Sequence, residues 1–427
     1  MLKEINRFPS GIITPPASKS ALHRAVICAS LAAGESVIEN AALSEDTTAT
    51  IDCMKALGAG IAQSGGKLTV KGTGGRVKGG AVLDCGESGS TLRFLIPIAA
   101  VSGEAATFTG RGRLMQRPME AFGQALSKRG VQLERYGETL TVTGLLMPGE
   151  FELPGDISSQ FVSGLLFALP LLSGDSMITL TSPLQSAGYV DITIDALRKS
   201  GMRVENEENR RYTVPGGQTY HPVMRAIEAD YSQAAFFLAA GALGCDCGCA
   251  GLSPDSLQGD KRILGILENG GAVVETRENG NIFVKPGAFK SQVIDASDIP
   301  DIVPPLAVFL SCCPGESRIV NAGRLRFKES DRLKAVAAEL NRIGGDVTEC
   351  EDSLIIRGVS AFRGGEARSW GDHRIAMMAA VAAIRSDGPV FLENPECVAK
   401  SYPNFWEDFA RSSKPPRNRE RNGDKGA

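Results

Sequence analysis

Apolar runs that close on glycine and pass straight into a short β-rich stretch recur six times along the chain: SLAAGESVIEN, IAAVSGEAATFTG, ALPLLSGDSMITL, LAAGALGCDCGCA, VFLSCCPGESRIV and VAAIRSDGPVFLE. Their turn glycines are Gly34, Gly103, Gly174, Gly244, Gly315 and Gly388, with successive spacings of 69, 71, 70, 71 and 73 residues. A constant period of this kind is the mark of a repeated supersecondary unit. A second helix-glycine-strand pattern is interleaved at CMKALGAGI, ALSKRGVQLE, LRKSGMRVE, LENGGAVVE and LNRIGGDVTE, with glycine as the cap before each strand. Each unit therefore reads strand, helix, strand, helix, strand, strand. Segments such as AAFFLAAGAL and IAMMAAVAAI are apolar all round, which predicts buried helices. Both are well short of the roughly 18–20 residues of a membrane span.

The second pattern is complete only five times. No strands follow the region around NFWEDFA, whereas LKEINRFPSGIIT at the other end is strand-like and lacks a partner. The two ends are thus expected to complete one unit. Three units per domain then give a first domain of 17–227 and a discontinuous second domain of 1–16 plus 228–427. The chain crosses between them twice, with Pro15-Pro16 as a stiff crossing point. Residues 412–427 are polar and basic without apolar periodicity, and are expected to be a disordered tail.

Length and composition fit this plan. A chain of 427 residues, 43% hydrophobic and 22% charged, is long enough for two or three domains with real cores. A net charge of -3 supplies no global field for nucleic acid. The start, MLKEINRFPSG, has no apolar leader, and a cytoplasmic monomer is expected. Ten cysteines in such a chain read as thiols. Cys245, Cys247 and Cys249 share a strand face, but that spacing fits no usual zinc pattern, and no metal is expected.

The candidate chemistry lies where the repeated helices begin. Ser18-Lys19-Ser20, Gly89-Ser90-Thr91, Ser158-Ser159-Gln160, Asp230-Tyr231-Ser232, Pro300-Asp301 and Asp372-His373-Arg374 occupy the six equivalent starts. Ser and Asp there are ordinary N-caps. Lys19, Arg24 and Arg374 are not, because a cation at a positive helix end is unfavourable without an anion to pair with it. If the helices of each domain run parallel, several such ends converge on one cleft. Arg93, Arg117, Lys328, Arg332 and Lys400 join them by local context. P-loop and dinucleotide fingerprints are absent, and GESGS only approximates a nucleophile elbow.

PPASKSALHRA, LDCGESGSTLRF, GDISSQFVSGLL, SDIPDIVPPLA, RFKESDRL and WGDHRIAM occur in an order and at spacings that resemble the 5-enolpyruvylshikimate-3-phosphate synthase family over nearly the whole chain. The resemblance implies an α/β (α+β) fold of two similar domains, each three βαβαββ units with parallel helices in an inside-out barrel. It places the active site in the interdomain cleft. It implies a cofactor-free transfer of the enolpyruvyl group of phosphoenolpyruvate to the 5-hydroxyl of shikimate 3-phosphate, with release of phosphate. By matching positions, Lys19, Gly89, Ser90, Arg117, Gln160, Arg332, Arg374 and Lys400 are assigned to phosphoenolpyruvate. Lys19, Ser20, Arg24, Ser158, Ser159, Gln160, Ser186, Tyr189, Asp301 and Lys328 are assigned to shikimate 3-phosphate. Asp301, Glu329 and Lys19 are the acid-base candidates, with Asp301 near the 5-hydroxyl and Glu329 near the methylene. His373 is expected to stabilise charge and position phosphate.

Glu87 stands where the family commonly has Asn, and a carboxylate beside an anion pocket weakens anion binding unless a cation pairs with it. Gly89 keeps the pocket open, so glyphosate is expected to compete with phosphoenolpyruvate. The rival readings are the sister transferase acting on UDP-N-acetylglucosamine and a non-catalytic two-domain anion-binding protein. The first fits less well, because that family has Lys-Asn after the first strand and typically a loop cysteine acting on the donor, whereas this chain has Ser-Lys-Ser there and Arg117 in its arginine-proline segment.

Overall fold

The computed structural model describes residues 2–411; the tail expected at 412–427 lies outside the described residues. Five four-stranded sheets and one three-stranded sheet are found among these residues. The second unit shows the common plan. Val82–Asp84 leads into the helix Gly89–Ala99 and returns as Ala106–Thr109, parallel to the first strand. The helix Glu120–Ser127 then leads to the hairpin of Gln132–Tyr136 and Thr139–Thr143, whose second strand pairs antiparallel with Ala106–Thr109. This is the βαβαββ unit that the glycine period predicts.

Helices lie inside and sheets outside. Every residue of Tyr231–Ala242 and of His373–Ala383 is buried. The sheets alternate instead, as in Glu35–Glu39, where Ser36 and Ile38 are buried while Glu35 and Glu39 are exposed. A sheet with one wet face covers an apolar helix that could not face water itself. Close approach is built in: a Cβ on Gly164, in the helix Ser159–Ala168, would run into the carbonyl oxygen of Arg93 in Gly89–Ala99. Buried apolar side chains form two clusters. One runs from Ala17 to Ile227, and the other joins Ile5, Phe8 and Ile13 to residues from Ala229 to Phe409.

The expectation that the two chain ends complete one unit is half right. Leu2–Ile5 pairs antiparallel with Val390–Glu393 in the sixth sheet, but Gly11–Ile13 joins the fourth, parallel to Cys247–Cys249. The place that Gly11–Ile13 would hold in the first sheet is taken by Met224–Ala226, parallel to Glu35–Glu39. The two crossing segments thus exchange edge strands. They bind one another where they pass: Ser18 N donates to Glu228 O at 2.7 Å, and Asp230 N donates to Pro16 O at 2.9 Å. Three-residue edge strands carry too little pattern to declare which sheet they join.

All ten cysteines are free. Cys247 and Cys249 are buried on their strand, with Sγ contacts to Phe237 O and Ala234 O, and burial pushes the Cys245 thiol up to about 12. Among the described residues no helix is long and apolar enough to cross a membrane.

Candidate active site

Capping explains the Ser and Asp residues at five of the six helix starts. Ser18, Ser88, Ser158, Asp230 and Asp372 each accept a bond from a first-turn N–H group, while the turn Pro300–Ile302 before Val303–Ser311 has no side-chain cap. These starts meet. Lys19 N donates to Asp230 Oδ2 at 3.0 Å, Arg374 Nη2 donates to Ser232 Oγ at 3.0 Å, and Gln160 Nε2 donates to Ser90 Oγ at 3.0 Å. Unsatisfied N–H groups and cations from both clusters therefore face one cleft.

Eight cations and three carboxylates line that cleft, an excess of five positive charges. At its centre is Arg332, whose guanidinium is buried and almost wholly engaged. Nε donates to Asp372 Oδ2 at 2.9 Å, Nη1 to Asp301 Oδ1 at 2.9 Å, and Nη2 to Glu329 Oε2 at 2.6 Å and Asp372 Oδ1 at 3.2 Å. One N–H, on Nη1, is left for a ligand. Asp301 also receives Arg374 Nη2 at 3.2 Å, Lys328 Nζ at 3.4 Å and the Tyr189 hydroxyl at 2.9 Å. Glu329 faces Arg117 Nη2 at 3.6 Å.

These contacts set the protonation states. Burial opposes the charge on Asp301, yet Arg374, Lys328, Arg332 and Lys19 together hold its carboxyl well below the usual range. Burial is likewise outweighed at Glu329, chiefly by Arg117 and Arg332, with Lys19 adding to them. Both are carboxylates at neutral pH. Lys19 pairs with Asp46 Oδ2 at 2.7 Å; against the effect of burial, Asp46 and Glu329 raise its pKa, so it is an ammonium. Burial lowers Lys328 to about 8. His373 has no hydrogen-bond partner at either ring nitrogen, and burial lowers it to about 3, so the ring is neutral with one N–H to give.

The expected residues are nearly all in the cleft lining: Lys19, Ser20, Arg24, Gly89, Ser90, Arg117, Ser158, Ser159, Gln160, Ser186, Tyr189, Asp301, Lys328, Glu329, Arg332, His373 and Arg374. Arg24 spends its guanidinium on the protein, donating to Thr193 Oγ1, Ser20 O and Tyr189 O at 2.6–2.8 Å. It braces the backbone of Ser20 and Tyr189. Lys400 stands outside the lining, with Nζ on Glu87 Oε2 at 2.7 Å and Gly371 O at 2.8 Å. The Glu87 carboxylate therefore has its cation, and the pair ties the two lobes together. Asp46 and Arg324 also line the cleft, and sequence reasoning missed both. Asp46 looks like an ordinary first-turn acid after its cap Ser44, and Arg324 lies in a short turn, Gly323–Phe327, without apolar period.

A family model described as EPSP synthase (3-phosphoshikimate 1-carboxyvinyltransferase) matches residues 4–409. A relative from Clostridium kluyveri named 3-phosphoshikimate 1-carboxyvinyltransferase is 49% identical over 401 residues, covering 93% of this chain and 94% of its own. One of the same name from Clostridium perfringens is 46% identical over 414 residues, covering 96% and 98%. Among solved structures, an EPSP synthase from Acinetobacter baumannii aligns with a TM-score of 0.79 at 29% identity, covering 95% of this chain and 97% of its own. The enolpyruvyl transferase NikO from Streptomyces tendae shares the fold, with a TM-score of 0.77 at 19% identity over 96% of each chain. With cations from both lobes gathered around two ionised carboxylates, and a match running from one end of the described fold to the other, the chain belongs to the EPSP synthase family.

Proposed function

We propose that the cleft binds phosphoenolpyruvate and shikimate 3-phosphate side by side and moves the enolpyruvyl group to the 5-hydroxyl. Two phosphates at about -1.5 to -2 each, with two carboxylates, bring roughly -5 to -6 charges. The cleft offers an excess of five positive charges, which is the observation that carries the reading. A closed cleft without such a balance would strand charge in a low dielectric.

Arg117, with Gly89 and Ser90 at the helix start, receives phosphoenolpyruvate; Ser158, Ser159 and Ser186 receive the shikimate phosphate. Asp301, an ionised carboxylate, accepts the 5-hydroxyl proton as that oxygen attacks C2 of phosphoenolpyruvate. The methylene takes a proton to become a methyl group, giving a tetrahedral intermediate. Phosphate then leaves, carrying away the proton that Asp301 took from the 5-hydroxyl, and the methyl group returns one proton to Glu329, restoring the double bond. Glu329 serves the methylene. Its proton arrives with the substrate, because anionic oxygens that compete for Arg117 and Lys19 remove the cations that keep it ionised. The neutral His373 N–H donates to the phosphate that departs.

The domains are assigned as 17–227 and as 1–16 with 228–427, supported by the division between the two apolar clusters. One chain supplies every wall of the cleft, which supports a monomer, and a cytoplasmic location fits its metabolite substrates. The test is phosphate release by the purified protein with both substrates and with each omitted in turn. Release only with both is expected. Release from phosphoenolpyruvate alone, or with UDP-N-acetylglucosamine in place of shikimate 3-phosphate, overturns the reading.

A further inference from the structure

Tyr189, of the first lobe, is clamped between two carboxyl groups of the second. Its hydroxyl lies 2.9 Å from Asp301 Oδ2 and 3.3 Å from Asp260 Oδ2. The fit there is close. A Cβ on Gly188 would stand 3.1 Å from Gly259 N and 3.2 Å from Leu257 O, so the start of the helix Ala187–Lys199 rests on the turn Gly259–Arg262 that carries Asp260. That turn is anchored in its own lobe, because Gln258 Oε1 accepts from Tyr231 N and Gln258 Nε2 donates to Ala229 O, both at 2.9 Å. Asp260 is buried and does not line the cleft, and its hydrogen bond toward the reacting groups passes through Tyr189.

A phenol has one hydrogen, and two carboxylates cannot both accept it. Asp301 is the nearer acceptor and is held ionised by the cations around it. Asp301 is paired with Lys328, Arg332 and Arg374, whereas no cation among the described residues forms an ion pair with Asp260. On its own turn, Lys261 Nζ donates to Pro254 O at 2.8 Å and Arg262 faces Asp298 at 3.8 Å. From the other elements, burial, Asp301 and Asp230 oppose a charge on Asp260; Arg374 and the Tyr189 hydroxyl favour it, but both are bonded to Asp301. Asp260 Oδ1 is also buried without a hydrogen-bond partner, which is costly for a carboxylate and much less so for the acid. Burial, with the charge of Asp301, raises Asp260 to about 7.

From this proton count we infer that Asp260 is a positioning residue for Asp301: as an acid it donates to the Tyr189 oxygen, which fixes the Tyr189 hydrogen on Asp301 and so the orientation in which Asp301 meets the 5-hydroxyl. The inference rests on the assignment of Asp301 to that hydroxyl. Two hydrogen bonds running in one direction strengthen each other. Once Asp260 ionises, it competes for the same hydrogen, the chain is broken, and a second negative charge opposes the arriving anions. The acid form is therefore the active one.

The test is kcat/KM for shikimate 3-phosphate against pH, on the wild type, Asp260→Ala, Asp260→Asn and Asp301→Asn, with thermal melts as a check on folding. Because this ratio reports the free protein, the wild type should lose activity in two steps as pH rises, one near 7 from Asp260 and one near 8 from Lys328. Asp260→Ala removes one hydrogen bond and should lower kcat by about 3- to 10-fold while the KM for phosphoenolpyruvate holds. Asp260→Asn, whose amide donates to the Tyr189 oxygen at every pH, should recover most of that loss and show only the upper step. A lower step that persists in Asp260→Asn, or a kcat unmoved in Asp260→Ala, overturns the role of Asp260. If Asp301→Asn turns over like the wild type, the base itself is wrongly assigned and the inference falls with it.

Discussion

Replacing Gly89 with alanine probes the phosphoenolpyruvate side through a single methyl group. Gly89 opens the helix Gly89–Ala99 without a positive φ, so its backbone accepts alanine, and helix propensity favours it by up to about 1 kcal/mol. Space does not. The new Cβ would sit 2.5 Å from Arg117 Nη1, with Gln160 Oε1 at 3.4 Å and Arg93 Nη1 at 3.6 Å behind it. Ordinary carbon contacts begin near about 3.5 Å, so the guanidinium must retreat by about 1 Å. A bond of about 2.8 Å stretched by that amount is essentially lost, and a charge-assisted bond is worth roughly 1.5–3 kcal/mol. The KM for phosphoenolpyruvate should therefore rise about 10- to 100-fold, with the KM for shikimate 3-phosphate and the melting temperature little changed. Inhibition by glyphosate, expected to be competitive with phosphoenolpyruvate, should weaken in parallel. Steady-state kinetics with each substrate varied in turn read all of this. An unchanged KM for phosphoenolpyruvate, or an equal rise for both substrates, refutes the placement of that substrate on Arg117.

Glu329→Gln keeps the shape of the site and removes a titratable group, so kcat should fall by about 10²–10⁴ while shikimate 3-phosphate binding survives; unchanged turnover would falsify its chemical role. Lys328 titrates near 8 in the free protein and loses its charge above that, so kcat/KM for shikimate 3-phosphate should decline as pH rises through 8. The substitution Lys328→Arg should flatten that limb of the pH profile, because a guanidinium stays charged throughout the range. Burial, chiefly, raises Asp260 to about 7, above its unfolded value, so its ionisation penalises the fold increasingly as pH rises from about 4 to 7. Asp260→Asn should accordingly raise the melting temperature by about 2–4 °C at about pH 8, with the gain fading toward about pH 4. Glu87→Gln removes the partner of Lys400 in a pair that is 28% and 13% exposed. Such a pair is worth about 1 kcal/mol or less, so the KM for phosphoenolpyruvate should drop by up to about fivefold, and the difference should shrink in about 1 M salt.

The repeat was legible because six buried helices must be apolar all round and must each end in a tight turn, which writes a strict glycine period into the chain. The convergence of helix starts was legible for a related reason: Lys19 and Arg374 violate dipole chemistry unless an anion is present. What stayed hidden depended on partners remote in sequence. The exchange of Gly11–Ile13 for Met224–Ala226 is a matter of three-residue strands whose pairing is set by the crossing segments. Glu87 reads as a liability to anion binding until the fold brings Lys400, 313 residues away, to 2.7 Å from it. Arg332 reads as a simple substrate cation, yet its main work in the folded chain is to hold Asp301, Glu329 and Asp372 together. Asp46 and Arg324 carry no local pattern, and only folding brings them to the cleft.

The most direct test of the central claim is a crystal structure with shikimate 3-phosphate and a phosphoenolpyruvate-competitive inhibitor bound together. The 3-phosphate should lie on Ser158, Ser159 and Ser186, the 5-hydroxyl within hydrogen-bond distance of Asp301, and the inhibitor's anionic groups on Arg117. A ligand pair bound in the opposite sense, or a 5-hydroxyl remote from both Asp301 and Glu329, contradicts the account.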